Sequence, residues 1–110
     1  MASTRTERRQ HDRTAVELAA TIERISGRPL TGSATTVDLS LGGARLVAPA
    51  GFGVGDVVKV ALASGDVSIE HQALVVGRQE ATRSTATLNL AFKSLDDRSA
   101  EVLRRVLDLT

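Results

Sequence analysis

Asp38 and Ser40 stand two residues apart and are followed by Gly42 and Gly43. On an extended chain that spacing sends both side chains from one face, roughly 6.6 Å apart along the strand. A carboxylate only accepts hydrogen bonds, whereas a hydroxyl both donates and accepts. A glycine such as Gly43 lets another molecule come close to the backbone. Together these groups can hold the donor edge of a guanine with a phosphate nearby. They also suit a plainer role, because Asp and Ser often bond to the backbone of the turn they stand in. A second group lies upstream, where Arg5, Arg8, Arg9 and Arg13 are set against Glu7 and Asp12. Arg9 and Arg13 are four apart, and each guanidinium fork can grip a phosphate or the O6/N7 edge of guanine through two hydrogen bonds. Lysine, a point charge, is less suited to that task. Spacing alone does not single out this pair, since Arg5/Arg9 and Arg24/Arg28 share it.

Little else in the chain could do chemistry. There is no cysteine, which excludes disulfides and thiolate metal sites. The histidines, His11 and His71, are isolated, so no zinc site is expected. Glu70 is the immediate neighbour of His71 on a strand-like run and projects to the opposite face, so the two cannot share a proton. No H-E-x-x-H pattern, no Ser/His/Asp set and no phosphate-cradling loop before a helix is present, so no enzyme is expected. Gly51, Gly53 and Gly55 form G-x-G-x-G ahead of another strand rather than a helix, which is not a dinucleotide fingerprint. With two Phe, no Tyr and no Trp, base-stacking platforms for single-stranded nucleic acid are missing. A net charge of +1 supplies no global field for DNA, RNA or an anionic membrane. No apolar run reaches the ~18 residues of a membrane span, and no hydrophobic leader follows Met1. The expectation is a soluble, cytoplasmic binding protein without membrane insertion.

The elements that must position these groups follow from periodicity. Residues 1–13 hold one apolar side chain after Met1 and cannot supply a core face; they are expected to form a flexible, arginine-rich arm. From Thr14 the pattern has period two, with Val16, Leu18, Ala20 and Ile22 on one face. Ser26-Gly27-Arg28-Pro29 breaks it. Thr35, Val37 and Leu39 alternate before the Leu41-Gly42-Gly43 reversal, where glycine tolerates positive φ, and Ala44, Leu46 and Ala48 alternate after it. Val58, Val60 and Leu62 continue the rhythm up to Ser64-Gly65-Asp66. Val67 to Gln79 carries Val67, Ile69, Ala73 and Val75 on one face but Leu74 and Val76 on the other, which suggests a curved strand covered by another element. Ala86, Leu88, Leu90 and Phe92 make a final strand. Short strands joined by Gly/Ser/Asp turns predict a mainly β fold, a small antiparallel barrel or sandwich. The last segment switches to helical period: Val102, Leu103, Val106 and Leu107 share a stripe, with Ser94 as the expected cap of a helix over about 95–108. Residues 14–110 are thus read as one domain.

The combination of Arg9-x-x-x-Arg13 just before the first strand with Asp38-x-Ser40-x-x-Gly43 at a strand turn, then a barrel and a terminal helix, resembles the PilZ domain family over essentially the whole chain. The run from Val37 through Leu46 is very close to that family's usual wording. The resemblance implies a six-stranded antiparallel β-barrel that binds the bacterial second messenger cyclic di-GMP. On that model Arg9 and Arg13 clamp the phosphates and a guanine, and Asp38 accepts from guanine N–H groups. Ser40 would contact phosphate or base, Gly43 would allow close approach, and Arg8 would support a second, stacked nucleotide. One departure stands out: the family often has glycine three residues before the late-strand Phe, where this chain has Asn89 before Phe92.

The mechanism expected is a disorder-to-order switch, in which the arm wraps the dinucleotide and presents a new surface to an unidentified downstream protein. The runner-up is a barrel of the same fold that binds a protein and no nucleotide. A third reading, nonspecific nucleic-acid binding by the arm, predicts steep salt dependence and indifference to base identity.

Overall fold

The computed structural model describes residues 14–65, 67–93 and 95–108. The expected arm, with Arg8, Arg9 and Arg13, lies outside the described residues. Among the described residues seven strands precede one helix: β1 (Thr14–Ala15), β2 (Ala19–Arg24), β3 (Leu30–Leu39), β4 (Gly43–Pro49), β5 (Val57–Ser64), β6 (Val67–Glu80), β7 (Thr85–Phe92) and α1 (Asp97–Asp108). All pairings are antiparallel, and β2-β3-β4-β7-β6-β5 closes into a ring when β5 returns to β2. This is the expected six-stranded barrel with one short strand added. Closure leaves no long open edge in the ring.

The wall follows the sequence alternation. Ile22, Ala44, Leu46, Val58, Val60, Ala73, Val75, Ala86 and Leu88 are at most 2% exposed and fill the interior. The extra strand arises because the expected first strand is interrupted. β1 and β2 lie along the same edge of β3, with Thr14 opposite Leu39 and Ala19 opposite Thr35. Across the gap Thr36 acts as a stitch: its hydroxyl donates to the Val16 carbonyl at 2.6 Å and accepts from the Leu18 N–H at 2.8 Å. Along the other edge of β3, the register against β4 slips between Thr36 and Asp38.

That bulge corrects the face assigned to this strand. Thr36 and Leu39 point inward and are buried, while Thr35 and Val37 point out. An extra residue in one strand inverts the alternation beyond it, and so Asp38 follows Val37 onto the outer wall. A second correction concerns β6. Its inner residues Ile69, Ala73 and Val75 are buried as expected, but Leu74 and Val76 are 39% and 52% exposed rather than covered.

The loop from Ala50 to Asp56 folds back on the barrel. Phe52 is 1% exposed within the core. Two arginines hold the loop's backbone: Arg78 donates to the carbonyls of Phe52 and Ala50, each at 3.0 Å, and Arg24 pairs with Asp56 at 3.1 Å. The helix contributes Leu103 and Val106 to the core, with Val102 and Leu107 packed against it. Ser94 lies outside the described residues, and the cap is Asp96, which accepts from the Ser99 N–H at 2.7 Å. That backbone bond, with the Ser99 hydroxyl and smaller contributions from His71 and Arg98, holds the Asp96 carboxyl below the usual carboxylate range.

Candidate functional site

The β3–β4 turn brings Asp38, Ser40 and Gly43 together in one hairpin but gives them different directions. Ser40 is 5% exposed. Its hydroxyl accepts from the N–H groups of Gly42 and Gly43 at 3.1 and 3.2 Å, while the Ser40 N–H donates to the Gly43 carbonyl at 2.9 Å. Of the two roles open to Ser40, this is the turn-building one. The expectation that Asp38 and Ser40 leave a common face is corrected here. β3 ends at Leu39, and the chain curls so that Leu39 and Ser40 are both buried.

Gly43 is required by the barrel itself. A Cβ there would run into the carbonyl oxygen of Leu90 and sit 3.1 Å from the carbonyl carbon. The close approach this glycine permits is that of β7. The reversal does not use positive φ at Gly43; the glycines with positive φ are Gly27, Gly55 and Gly65.

Asp38 is on the outer wall. Cross-strand register places it opposite Arg45 on β4, Arg45 opposite Asn89 on β7, and Asn89 opposite Gly77 on β6. The Arg45 Nε lies 3.5 Å from Asp38 Oδ2, with side chains 44% and 14% exposed. Arg45 carries no motif signal in the sequence, although it follows Gly43 by two residues and therefore shares its face. At the far end of the row, Asn89 leans over Gly77, where an added Cβ would be 2.8 Å from Asn89 Nδ2. The glycine expected at position 89 is thus matched by one across the ladder, at the register slip between Val75 and Gly77. Asn89 Oδ1 is buried and has no hydrogen-bond partner.

One step along the same wall, Leu74, Ala91 and Gly43 form a parallel row of apolar or small groups. Beside Asp38, Val37 is 41% exposed and borders a cleft of about 480 Å³ lined also by Ala15, Val16, Glu17, Thr35, Thr36 and Val47. The hairpin face therefore offers an acid, a cation and apolar ground side by side. A larger concavity of about 780 Å³ across β5 and β6 is lined by Lys59, Glu70, His71, Gln72 and Lys93. Its polar groups are engaged with one another: Lys59 pairs with Glu70 at 4.0 Å, and the His71 ring bonds the Lys93 carbonyl at 2.8 Å. Among the described residues no group of three His, Asp or Glu could hold a metal ion, and no helix is long and apolar enough to cross a membrane.

Comparison with known proteins bears on the same hairpin. No curated protein matches the chain. Among solved structures, the PilZ domain of YcgR from Escherichia coli with c-di-GMP superposes with a TM-score of 0.73 at 17% identity, covering 93% of this chain and 90% of that one. YcgR from Escherichia coli in complex with c-di-GMP gives 0.74 at 18% identity, and the Bacillus subtilis inhibitor of motility gives 0.70 at 18%. Each of these two matches covers 93% of this chain, which spans about half of theirs, 45% and 50%. The PilZ domain model matches residues 7–109, a span that takes in Arg8, Arg9, Arg13 and the whole β3–β4 hairpin; the chain belongs to the PilZ domain family.

Proposed function

We propose that this chain is a receptor for cyclic di-GMP. The observation that carries the reading is Asp38, an acceptor-only carboxylate turned onto the outer wall by the β3 bulge. It lies in a family whose Escherichia coli member was solved with that ligand. Asp38 takes the N–H edge of a guanine. Arg9 and Arg13 clamp the phosphates and the opposite guanine edge, and Arg8 supports a second nucleotide. Ser40 and Gly43 serve the site chiefly by fixing the turn from which Asp38 projects. The arm over residues 1–13 orders on binding, and the surface so formed is read by a downstream protein. The reaction is binding, with no bond made or broken in the ligand, in a cytoplasmic setting.

A competing reading keeps the barrel as a protein-interaction module without nucleotide. It draws on the Ser40 hydroxyl being consumed in the turn and on the exposed Leu74 and Val76. Calorimetric titration separates the two. The parent should bind cyclic di-GMP and reject cyclic di-AMP. Arg13→Ala should lose about 3 kcal/mol, roughly 100-fold, as expected for a lost charge-assisted pair. Asp38→Ala should weaken guanine nucleotides selectively, with the melting temperature of both variants preserved. A parent that ignores cyclic di-GMP would refute the receptor reading and favour the interaction module.

A further inference from the structure

We infer that Arg45 is a specificity-determining residue, one that reads the 6-oxo group of the guanine whose donor edge Asp38 takes. The inference rests on the cyclic di-GMP reading and deepens it. Along its Watson–Crick edge guanine presents an acceptor, O6, beside two donors, N1–H and the 2-amino group. The outer wall presents the complement in the same order: the Arg45 guanidinium beside the Asp38 carboxylate, in register on adjacent strands and 3.5 Å apart. Adenine offers a donor at position 6 and an acceptor at N1, so it opposes like with like at both places.

The pair itself is built loosely. It has one contact, through Nε, and the Arg45 side chain is 44% exposed. A one-pronged pair whose cationic side chain is half-exposed contributes little to stability, yet it keeps the guanidinium beside the carboxylate. Among the described residues the Arg45 side chain has no other polar contact, so its remaining N–H groups can turn to a ligand edge. The neighbouring row position is Asn89, a neutral amide, so no second cation stands beside Arg45 there. The arrangement assigns the N1 side of the base to the barrel wall.

The test uses the full chain and three dinucleotides. Cyclic di-GMP has both the 6-oxo and 2-amino groups. The cyclic dinucleotide of 2-aminopurine keeps the 2-amino donor but lacks the 6-oxo group and, with it, the N1–H, so the parent should bind it more weakly than cyclic di-GMP. Cyclic di-AMP serves as the negative control. Arg45→Met retains the apolar stem and removes the donors. It should weaken cyclic di-GMP about tenfold, the size of a base-edge contact, and leave the 2-aminopurine dinucleotide within about twofold of the parent, because position 6 of that ligand carries no acceptor for Arg45 and its N1 acceptor faces Asp38. Arg45→Gln, which keeps a donor, should recover part of the loss for cyclic di-GMP alone. Both variants should melt with the parent. Equal weakening of both guanine-like ligands would make Arg45 a support for Asp38 and overturn the inference, as would no change for either. In those cases the parent still binds cyclic di-GMP and the receptor reading stands. If the parent binds no cyclic di-GMP, the receptor reading fails, and this inference fails with it.

Discussion

Gly43→Ala separates two uses of one glycine. The added Cβ would overlap the Leu90 carbonyl oxygen and crowd the Leu90 carbonyl carbon at 3.1 Å and the Ala91 Cα at 3.4 Å. All three are backbone atoms, so no side chain can rotate away. Relief requires β7 to part from β4, yet the two are tied by consecutive register pairs and by the Phe92 N–H bond to the Gly42 carbonyl at 2.9 Å. Loosening one or two such bonds costs about 1 kcal/mol each, and overpacking adds roughly 1–3 kcal/mol. The sum is about 3 kcal/mol, which for a domain of this size lowers the melting temperature by roughly 12–24 °C. Far-UV circular dichroism is the suitable probe, because the chain has neither Trp nor Tyr for fluorescence. Gly53→Ala provides the control: a Cβ there meets nothing within 4 Å, and its cost should stay within about 0.5 kcal/mol. Should Gly43→Ala melt with the parent while nucleotide binding collapses, the steric argument is refuted and the glycine serves the ligand directly.

The stitch and the helix cap yield two further expectations. Thr36→Val keeps the shape but leaves the Leu18 N–H and the Val16 carbonyl without their partner, so urea unfolding should report a loss of about 2 kcal/mol, with Thr36→Ser recovering most of it. Asp96, whose pKa is depressed in the folded protein mainly by the Ser99 N–H, contributes stability that is fully present above its unfolded pKa and lost as pH falls through the folded value. Asp96→Asn still caps the helix without titrating. In melts taken from neutral pH into acid it should match the parent at the neutral end and show a shallower decline below.

The barrel was legible because one face of each wall strand meets water and the other meets the core, so Val58, Val60 and Leu62, or Ala86, Leu88 and Leu90, announce their direction by alternation alone. The same logic misassigned Thr35, Val37 and Leu39, since a bulge inverts parity without any mark in composition. Phe52 went unnoticed as core for a related reason. It stands between glycines in a loop, and its burial depends on Arg24 and Arg78, which are 28 and 26 residues away in sequence. The helical stripe marks Leu103 and Val106 correctly, and the helix over Asp97–Asp108 falls within the expected span, with Asp96 as its cap. Arg45 needed register to be seen. Only pairing between β3 and β4 sets it against Asp38.

Within the hairpin, the residues of the Asp-x-Ser-x-x-Gly pattern divide by direction. Ser40 and Gly43 face the protein and determine whether the turn forms and whether β7 can close against it. Asp38 faces out, with Arg45 beside it. A pattern that looks like a set of ligand contacts is therefore in part a folding requirement that happens to present one carboxylate. This bears on how binding loss in such domains is interpreted. A lost titration in a Ser40 or Gly43 variant carries information about the ligand only after the barrel has been shown to hold. Asp38 and Arg45 stand on the outer wall rather than in the core, and it is at these two positions that base selectivity can be measured beside stability.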